Sequence, residues 1–209
     1  MLSHLPLSYL GVVILTMLVS ITLHEALHGY AAHMLGDETA AREGRLSLNP
    51  LKHIDLLMTI ILPAFLIAIG APPIFVAKPV PFDPRNVRHE EFGVALVGLA
   101  GPATNLGLAV LAAAFGHLSH IDLASTAGDV LIIFITINVA LCVFNMIPLP
   151  PLDGSRLLYA FAPEPIRRIM EQIEGAGFWV VIIILIVLSP VIGPIVTNIT
   201  NTITTFLLR

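Results

Sequence analysis

The amino-acid sequence predicts an all-α polytopic membrane protein, a bundle of about five to six hydrophobic helices that includes one re-entrant or oblique segment and a short extended edge segment. Of its 209 residues, 56% are hydrophobic and only 11% are charged, whereas soluble proteins carry about 25% charged residues. This composition excludes a secreted domain and a cytosolic enzyme, and the formal net charge of −4 gives no basic patch for nucleic acid. Five stretches without Asp, Glu, Lys or Arg approach or exceed the roughly 20 residues of a spanning helix: 1–23, 56–77, 92–121, 130–152 and 175–208.

The connections between these stretches are short, so we expect one membrane-embedded domain over 1–209, with a motif-bearing core over about 8–156 and C-terminal helices over 175–208. The first helix should end at Gly36. Because no basic region precedes its apolar run and no cleavage site follows, we expect it to stay in the mature chain.

The rest of the sequence predicts a central helix, a break in the last apolar stretch and a surface helix. The stretch 92–116 is rich in Gly and Ala, which suits a helix at the centre of the bundle, because small residues permit close helix contact. In the last stretch, Pro190, Gly193 and Pro194 predict a break between a spanning helix and an amphipathic tail. Residues 163–174 predict a short surface helix.

The first apolar helix contains the sequence His24-Glu25-Ala26-Leu27-His28. Histidines four residues apart lie on one helix face and can reach a single ion, while the glutamate beside them can act as general base on a metal-bound water. The alternative is a helix end that emerges into water with incidental histidines. The apolar residues before it favour a metal, because an unpaired ionisable group inside a membrane costs about 2.5 kcal/mol or more.

A catalytic zinc site needs a third protein ligand. Asp153 follows three prolines that should end the helix starting at Val130, and irregular backbone at membrane depth is tolerated only beside protein or a water-filled cavity. A plain Asp-Gly turn at the membrane surface is the alternative, and His53 and Asp55 are rival ligands. The single cysteine, Cys142, excludes an intrachain disulfide and a cysteine-built metal site.

Four motifs in this order resemble those of the site-2 protease family of intramembrane zinc metalloproteases, in its short prokaryotic form without a PDZ domain. The resemblance covers about residues 20–156 and is carried by His24 to His28, Gly44 to His53, Ala100 to Asn105, and Asn145 to Gly154.

The resemblance implies one Zn2+ per chain, with His24, His28 and Asp153 as the metal ligands and Glu25 as the residue that activates water. It also implies that Asn145 and Asn105 help to position or polarise the scissile peptide. Each asparagine could instead bond to a neighbouring carbonyl or join two helices.

We therefore expect a zinc metalloendopeptidase that hydrolyses membrane-embedded or membrane-tethered proteins near the cytoplasmic leaflet, as in regulated intramembrane proteolysis. Its partners would be the lipid bilayer and a membrane protein substrate, with no nucleic acid. One alternative is a divalent-metal transporter that uses the same four ionisable residues, although transporters usually show an internal repeat and none is evident. The other is a non-catalytic zinc-binding membrane scaffold.

The distribution of Lys and Arg predicts a multi-pass protein of the cell membrane with its active site toward the cytoplasm. The connections 36–53, 72–91 and 148–174 each carry three basic residues and 117–129 carries none, which places the first three inside. The stretch 56–70 should then enter and leave on the same side, since its 15 residues reach only about 22 Å of a ~30 Å core.

The residues from Ile74 to Phe82 alternate prolines with β-branched and aromatic side chains, which predicts the extended edge segment. This segment is either a plain connection or an edge that binds an unwound substrate by strand addition.

Overall fold

The computed structural model describes residues 9–55, 57, 61, 65 and 78–209. Within these residues the chain forms seven α-helices and no strand, which confirms the all-α prediction: α1 Leu10–Met34, α2 Thr39–Arg42, α3 Glu90–Leu118, α4 Thr126–Asn145, α5 Asp153–Phe161, α6 Glu164–Gly175 and α7 Phe178–Leu207. Four segments of the described chain are long and apolar enough to cross a membrane: Leu10–Met34, Glu90–Leu118, Thr126–Asn145 and Ile182–Leu207.

The helix α3 lies at the centre of the bundle, as its small residues predict. It packs against α1, α4 and α5, while α7 packs mainly against α4. Ala109 and Ala113 of α3 are buried against Leu131, Ile135 and Val139 of α4. Because lipid is as apolar as these side chains, close van der Waals packing between small and branched residues holds the helices together here.

Prolines end α4 at the predicted place. The helix stops at Asn145, and the chain then runs without helical structure until α5 begins at Asp153. Pro148, Pro150 and Pro151 in this connection lack the N–H that would continue the helical hydrogen bonds. The carboxylate of Asp153 therefore stands in the first turn of a new helix, where the partial positive charge of the helix N-terminus favours it.

The predicted break in the C-terminal stretch is wrong, because α7 runs without interruption through Pro190 and Pro194. A proline leaves the carbonyl four residues before it without its usual partner. For Pro190 that carbonyl belongs to Ile186, and the hydroxyl of Ser189 donates a hydrogen bond to it across 2.7 Å. Membrane helices tolerate proline where another group satisfies the carbonyl in this way.

The re-entrant segment predicted over 56–70 lies almost wholly outside the described residues, as does the first part of the extended edge segment, 74–77. The chain on either side of this region is described, and its two ends meet: the N–H of Lys78 donates to the carbonyl of His53 across 2.9 Å. The N–H of Arg88 likewise donates to the carbonyl of Leu35 across 2.8 Å. The end of α1 and the start of α3 therefore lie at the same end of the bundle.

Candidate metal centre

Three side chains meet between α1, α3 and α5. His24 and His28 stand one turn apart on α1, and they are only 7% and 9% exposed. Their Nε2 atoms are 3.1 Å apart. The Oδ2 atom of Asp153 lies 3.1 Å from the first Nε2 and 3.3 Å from the second. The two histidines and the aspartate that the sequence singles out thus present one ligand atom each to a common point.

Hydrogen bonds behind the rings aim both histidines at that point. Nδ1 of His28 lies 2.7 Å from the carbonyl oxygen of Val97, and Nδ1 of His24 lies 2.6 Å from the side-chain oxygen of Asn105. A carbonyl oxygen only accepts, so each Nδ1 carries a proton, and in the neutral ring the lone pair is then on Nε2.

These atoms fit a zinc ion. Two nitrogen lone pairs and a carboxylate oxygen that point at one place repel one another unless a cation binds between them. Oδ2 of Asp153 is buried and no donor among the described side chains satisfies it by a hydrogen bond. Ligand atoms placed tetrahedrally at about 2.0–2.1 Å from zinc are about 3.3 Å apart, which agrees with the separations of 3.1 to 3.3 Å found here.

The rival ligands lie elsewhere in the described part of the chain. His53 is buried, and its Nε2 bonds to the carbonyl oxygen of Ser47 at 2.7 Å. Asp55 accepts a hydrogen bond from the N–H of Leu57 at 3.0 Å. Neither residue belongs to the cluster that could hold a metal within the described residues.

Two glycines of α3 allow the helices to come this close. A Cβ atom on Gly101 would overlap Nε2 of both His24 and His28. A Cβ atom on Gly98 would lie 3.1 Å from the backbone oxygen of Asp153, which is tighter than ordinary contact. Gly at these positions therefore lets α1 and α5 approach α3 from two sides, and the metal centre forms where they meet.

Glu25 is held by a segment that comes from elsewhere in the chain. Its Oε2 atom accepts a hydrogen bond from the backbone N–H of Val80 across 3.0 Å. Arg45 holds the two residues before Val80, because its Nη2 donates to the carbonyl oxygens of Lys78 and Pro79 at 3.1 and 3.2 Å. The described part of the extended edge segment, 78–82, therefore lies beside the glutamate without forming a strand there.

The loop after α1 is tied to the same region by Asp37, which is fully buried. Its carboxylate accepts hydrogen bonds from Thr39 at 2.6 Å and from the backbone N–H of Asp83 at 2.9 Å. Burial opposes ionisation of this carboxyl, but the hydrogen bonds from Thr39, Asp83 and Asn86 outweigh it and hold its pKa below the usual range.

The two asparagines take different places. Asn145 is the last residue of α4, and its Nδ2 donates to the carbonyl of Leu141 across 3.0 Å, so its role at the peptide stays a prediction. Asn105 is fully buried and its oxygen faces His24. Sequence reasoning missed Asn138, which bonds to Asn105 at 3.1 Å. A polar residue within so apolar a helix was the available signal.

A His-His-Asp donor set and an adjacent helix glutamate, set within a bundle of apolar helices, define the class as a membrane-embedded metalloenzyme. Comparison with known proteins identifies the family within that class. Residues 118–189 match Peptidase family M50. The protein named "Putative zinc metalloprotease YwhC" of Bacillus subtilis (strain 168) is 35% identical over 190 residues, which cover 88% of this chain and 84% of that protein.

Two mycobacterial relatives carry the name "Putative zinc metalloprotease Rip2". The one from Mycolicibacterium smegmatis is 34% identical over 87% of this chain and 70% of its own length. The one from Mycobacterium tuberculosis (strain H37Rv) is 31% identical over 90% of this chain and 72% of its own length. No solved structure matches the chain significantly.

The chain belongs to peptidase family M50, the site-2 protease family, and is a zinc metalloprotease. The predicted family and the predicted Zn2+ are thereby confirmed. Of the three functions considered from the sequence, family membership supports the protease over the transporter and the scaffold.

Proposed function

We propose that this zinc metalloprotease hydrolyses peptide bonds of membrane-embedded or membrane-tethered proteins near the cytoplasmic leaflet, and so acts in regulated intramembrane proteolysis. The observation that carries the proposal is the burial of His24 and His28 in Leu10–Met34, a helix long and apolar enough to span a membrane. A protease whose metal ligands lie within such a helix is suited to substrates that reach it from the lipid.

In this proposal His24, His28 and Asp153 hold the zinc. A zinc ion bound there would act as a Lewis acid: it would polarise the scissile carbonyl and lower the pKa of the water bound to it. These three residues would hold the ion and leave room for water or substrate to bind it, as in other catalytic zinc sites.

Glu25 is the proposed general base. It removes the proton from the attacking water and passes it to the leaving amine. The hydrogen bond from Val80 to Oε2 supports this role, because it fixes the carboxylate and leaves Oε1 for the proton transfer.

Asn145 is the proposed donor toward the developing oxyanion. Its position supports this role, since it ends α4 directly before the irregular chain that leads to Asp153. Asn105, the other asparagine named from the sequence, is fully buried and its oxygen faces Nδ1 of His24, which supports a role behind the metal ligand instead of contact with the peptide.

The site also sets a requirement on the substrate. A transmembrane helix satisfies its own backbone groups, so its carbonyls are not free to reach a catalytic site. A good substrate should therefore contain helix-weakening residues near the cut.

The orientation in the membrane rests on charge. Arg42, Arg45 and Lys52 follow α1, whereas the connection between α3 and α4 has no Lys or Arg. With the basic connections in the cytoplasm, the half of α1 that bears the histidines is the cytoplasmic half. This supports cleavage near the cytoplasmic leaflet in a multi-pass protein of the cell membrane.

The test compares the wild-type protein with Glu25→Gln in proteoliposomes that contain a transmembrane substrate with Gly or Pro near its cytoplasmic end. We expect both proteins to bind one zinc per chain and only the wild type to cleave, with the cut site, read by mass spectrometry, near the cytoplasmic end. Cleavage by Glu25→Gln would overturn the mechanism. Wild-type cleavage confined to soluble peptides would overturn the substrate class.

A further inference from the structure

A chain of buried amides runs from His24 into the middle of the bundle. Asn105 of α3 and Asn138 of α4 are both 0% exposed. Nδ2 of Asn105 donates to Oδ1 of Asn138 at 3.1 Å and to the carbonyl oxygen of Ser20 at 3.4 Å. Nδ2 of Asn138 donates to the carbonyl oxygen of Phe134 at 2.9 Å. The side-chain nitrogen and oxygen of both amides therefore have partners.

The hydrogen bond between Asn138 and Phe134 sets the direction of the other hydrogen bonds in this series of amides. The carbonyl oxygen of Phe134 can only accept, so the amide nitrogen of Asn138 faces it and the amide oxygen faces Asn105. Asn105 must then present its nitrogen to Asn138 and its oxygen to His24, at 2.6 Å from Nδ1. Nδ1 of the histidine consequently carries the proton, and Nε2 keeps its lone pair for the metal.

Asn105 alone does not enforce this arrangement. Without an acceptor at position 138, the amide of Asn105 loses its shorter donor contact and keeps only the long one to Ser20. A flipped amide would offer its NH2 group to Nδ1 of His24 and favour the tautomer with its proton on Nε2, in which Nε2 has no lone pair for the metal. His28 needs no such support, because its Nδ1 faces a backbone carbonyl that cannot flip.

We propose that Asn138 is a positioning residue, which acts through Asn105 to hold His24 in the orientation and tautomer that bind zinc. The inference rests on the zinc ligands of the proposed function and is independent of the substrate. Residues behind metal ligands typically affect metal affinity or activity by about 10- to 100-fold.

The experiment measures zinc binding by full-length Asn138→Leu in detergent, by titration with a competing chelator. We expect its zinc affinity to fall by about 10- to 100-fold. The matched control is Thr136→Val, which changes another buried side chain of α4 whose hydroxyl has no partner among the described residues. It should bind zinc as the wild type does.

Two further variants separate this role from a general effect on folding. Asn138→Ala removes the amide without adding apolar bulk and should lose zinc affinity as the leucine variant does. Asn138→Asp, with its buried carboxyl protonated, keeps an acceptor oxygen opposite Asn105 and can still donate to the carbonyl of Phe134, so it should bind zinc close to the wild type. The absorption spectrum of bound Co2+ reports the ligand geometry, and we expect it to change in Asn138→Leu and Asn138→Ala only.

Wild-type zinc affinity and Co2+ spectra in both folded apolar variants would overturn the inference, as would equal losses in Thr136→Val. The result for Asn138 does not depend on whether the proposed substrate class is correct. If the apolar variants lose zinc while the wild type cleaves no transmembrane protein, the role of Asn138 is supported and the proposed substrate class is not.

Discussion

The backbone N–H of Val80 donates a hydrogen bond to Oε2 of Glu25 across 3.0 Å and joins two residues 55 positions apart in the chain. Val80 is 6% exposed, so little water competes for this bond. Hydrogen bonds to charged groups contribute about 1.5–3 kcal/mol when they are well formed. The contact therefore restrains the carboxylate that we propose as the general base.

Val80→Pro removes this donor and keeps an apolar side chain. We expect kcat to fall by about 10-fold or more, with little change in KM, because the base loses its restraint while the rest of the site is unchanged. Steady-state kinetics on a transmembrane substrate provide the check, with Val80→Ala as the control that keeps the N–H. A rise in KM alone would instead support the view that this segment binds the substrate by its edge.

Gly101→Ala should strongly weaken zinc binding. The added Cβ would overlap Nε2 of both histidines, and these atoms cannot withdraw without leaving the metal centre. We expect zinc content, measured by atomic absorption, and activity to fall by about 10-fold or more. Gly107→Ala is the control on the same helix, since nothing lies within 4 Å of a Cβ there. A Gly101→Ala protein that keeps its zinc would contradict the close approach described here.

The proposed orientation predicts opposite accessibility for two introduced cysteines in a Cys142→Ser background. Glu43→Cys lies in a basic connection and should react with a membrane-impermeant thiol reagent only after the cytoplasmic face is exposed. Ala124→Cys lies in the connection without Lys or Arg and should react in intact cells. Both positions are exposed in the structure. The reverse pattern would place the active site on the outer side.

Asp37→Asn should destabilise the protein in a pH-dependent way. The variant leaves buried donors without a carboxylate acceptor, a loss of about 1–3 kcal/mol. The folded-state pKa of Asp37 lies below its ordinary value of 3.8, so its contribution is present above that pH and is lost as the pH falls through the folded-state pKa.

Thermal unfolding in detergent should therefore show a Tm difference from the wild type that is constant from about pH 5 to 8 and shrinks below about pH 4. Glu38→Gln is the control, because its side chain is 58% exposed and its ion pair with Arg42 lies at the surface. A Tm difference that does not depend on pH would show that the ionised carboxylate is not the stabilising form.

Several features could be predicted because they depend on neighbours along the chain. The apolar stretches predicted the spanning helices, since length and composition alone decide whether a helix can cross a membrane. The spacing of His24 and His28 placed both on one face, because an α-helix repeats every 3.6 residues. The prolines after Asn145 predicted where α4 ends.

The same local reasoning was wrong at Pro190. It counted the missing N–H of the proline and overlooked the hydroxyl of Ser189, which satisfies the carbonyl of Ile186. Whether a proline breaks a helix depends on such a substitute partner.

By itself, then, the sequence determined the spanning helices, the paired histidines on one of them and the class of chemistry that they can perform. Only the tertiary structure decided that Asp153 meets those histidines while His53 does not, that Asn138 stands behind Asn105, and that Val80 reaches Glu25. The physical reason is that these contacts join residues on different segments of the chain. Their distances depend on how closely helices and loops pack, and no spacing within a single segment encodes that.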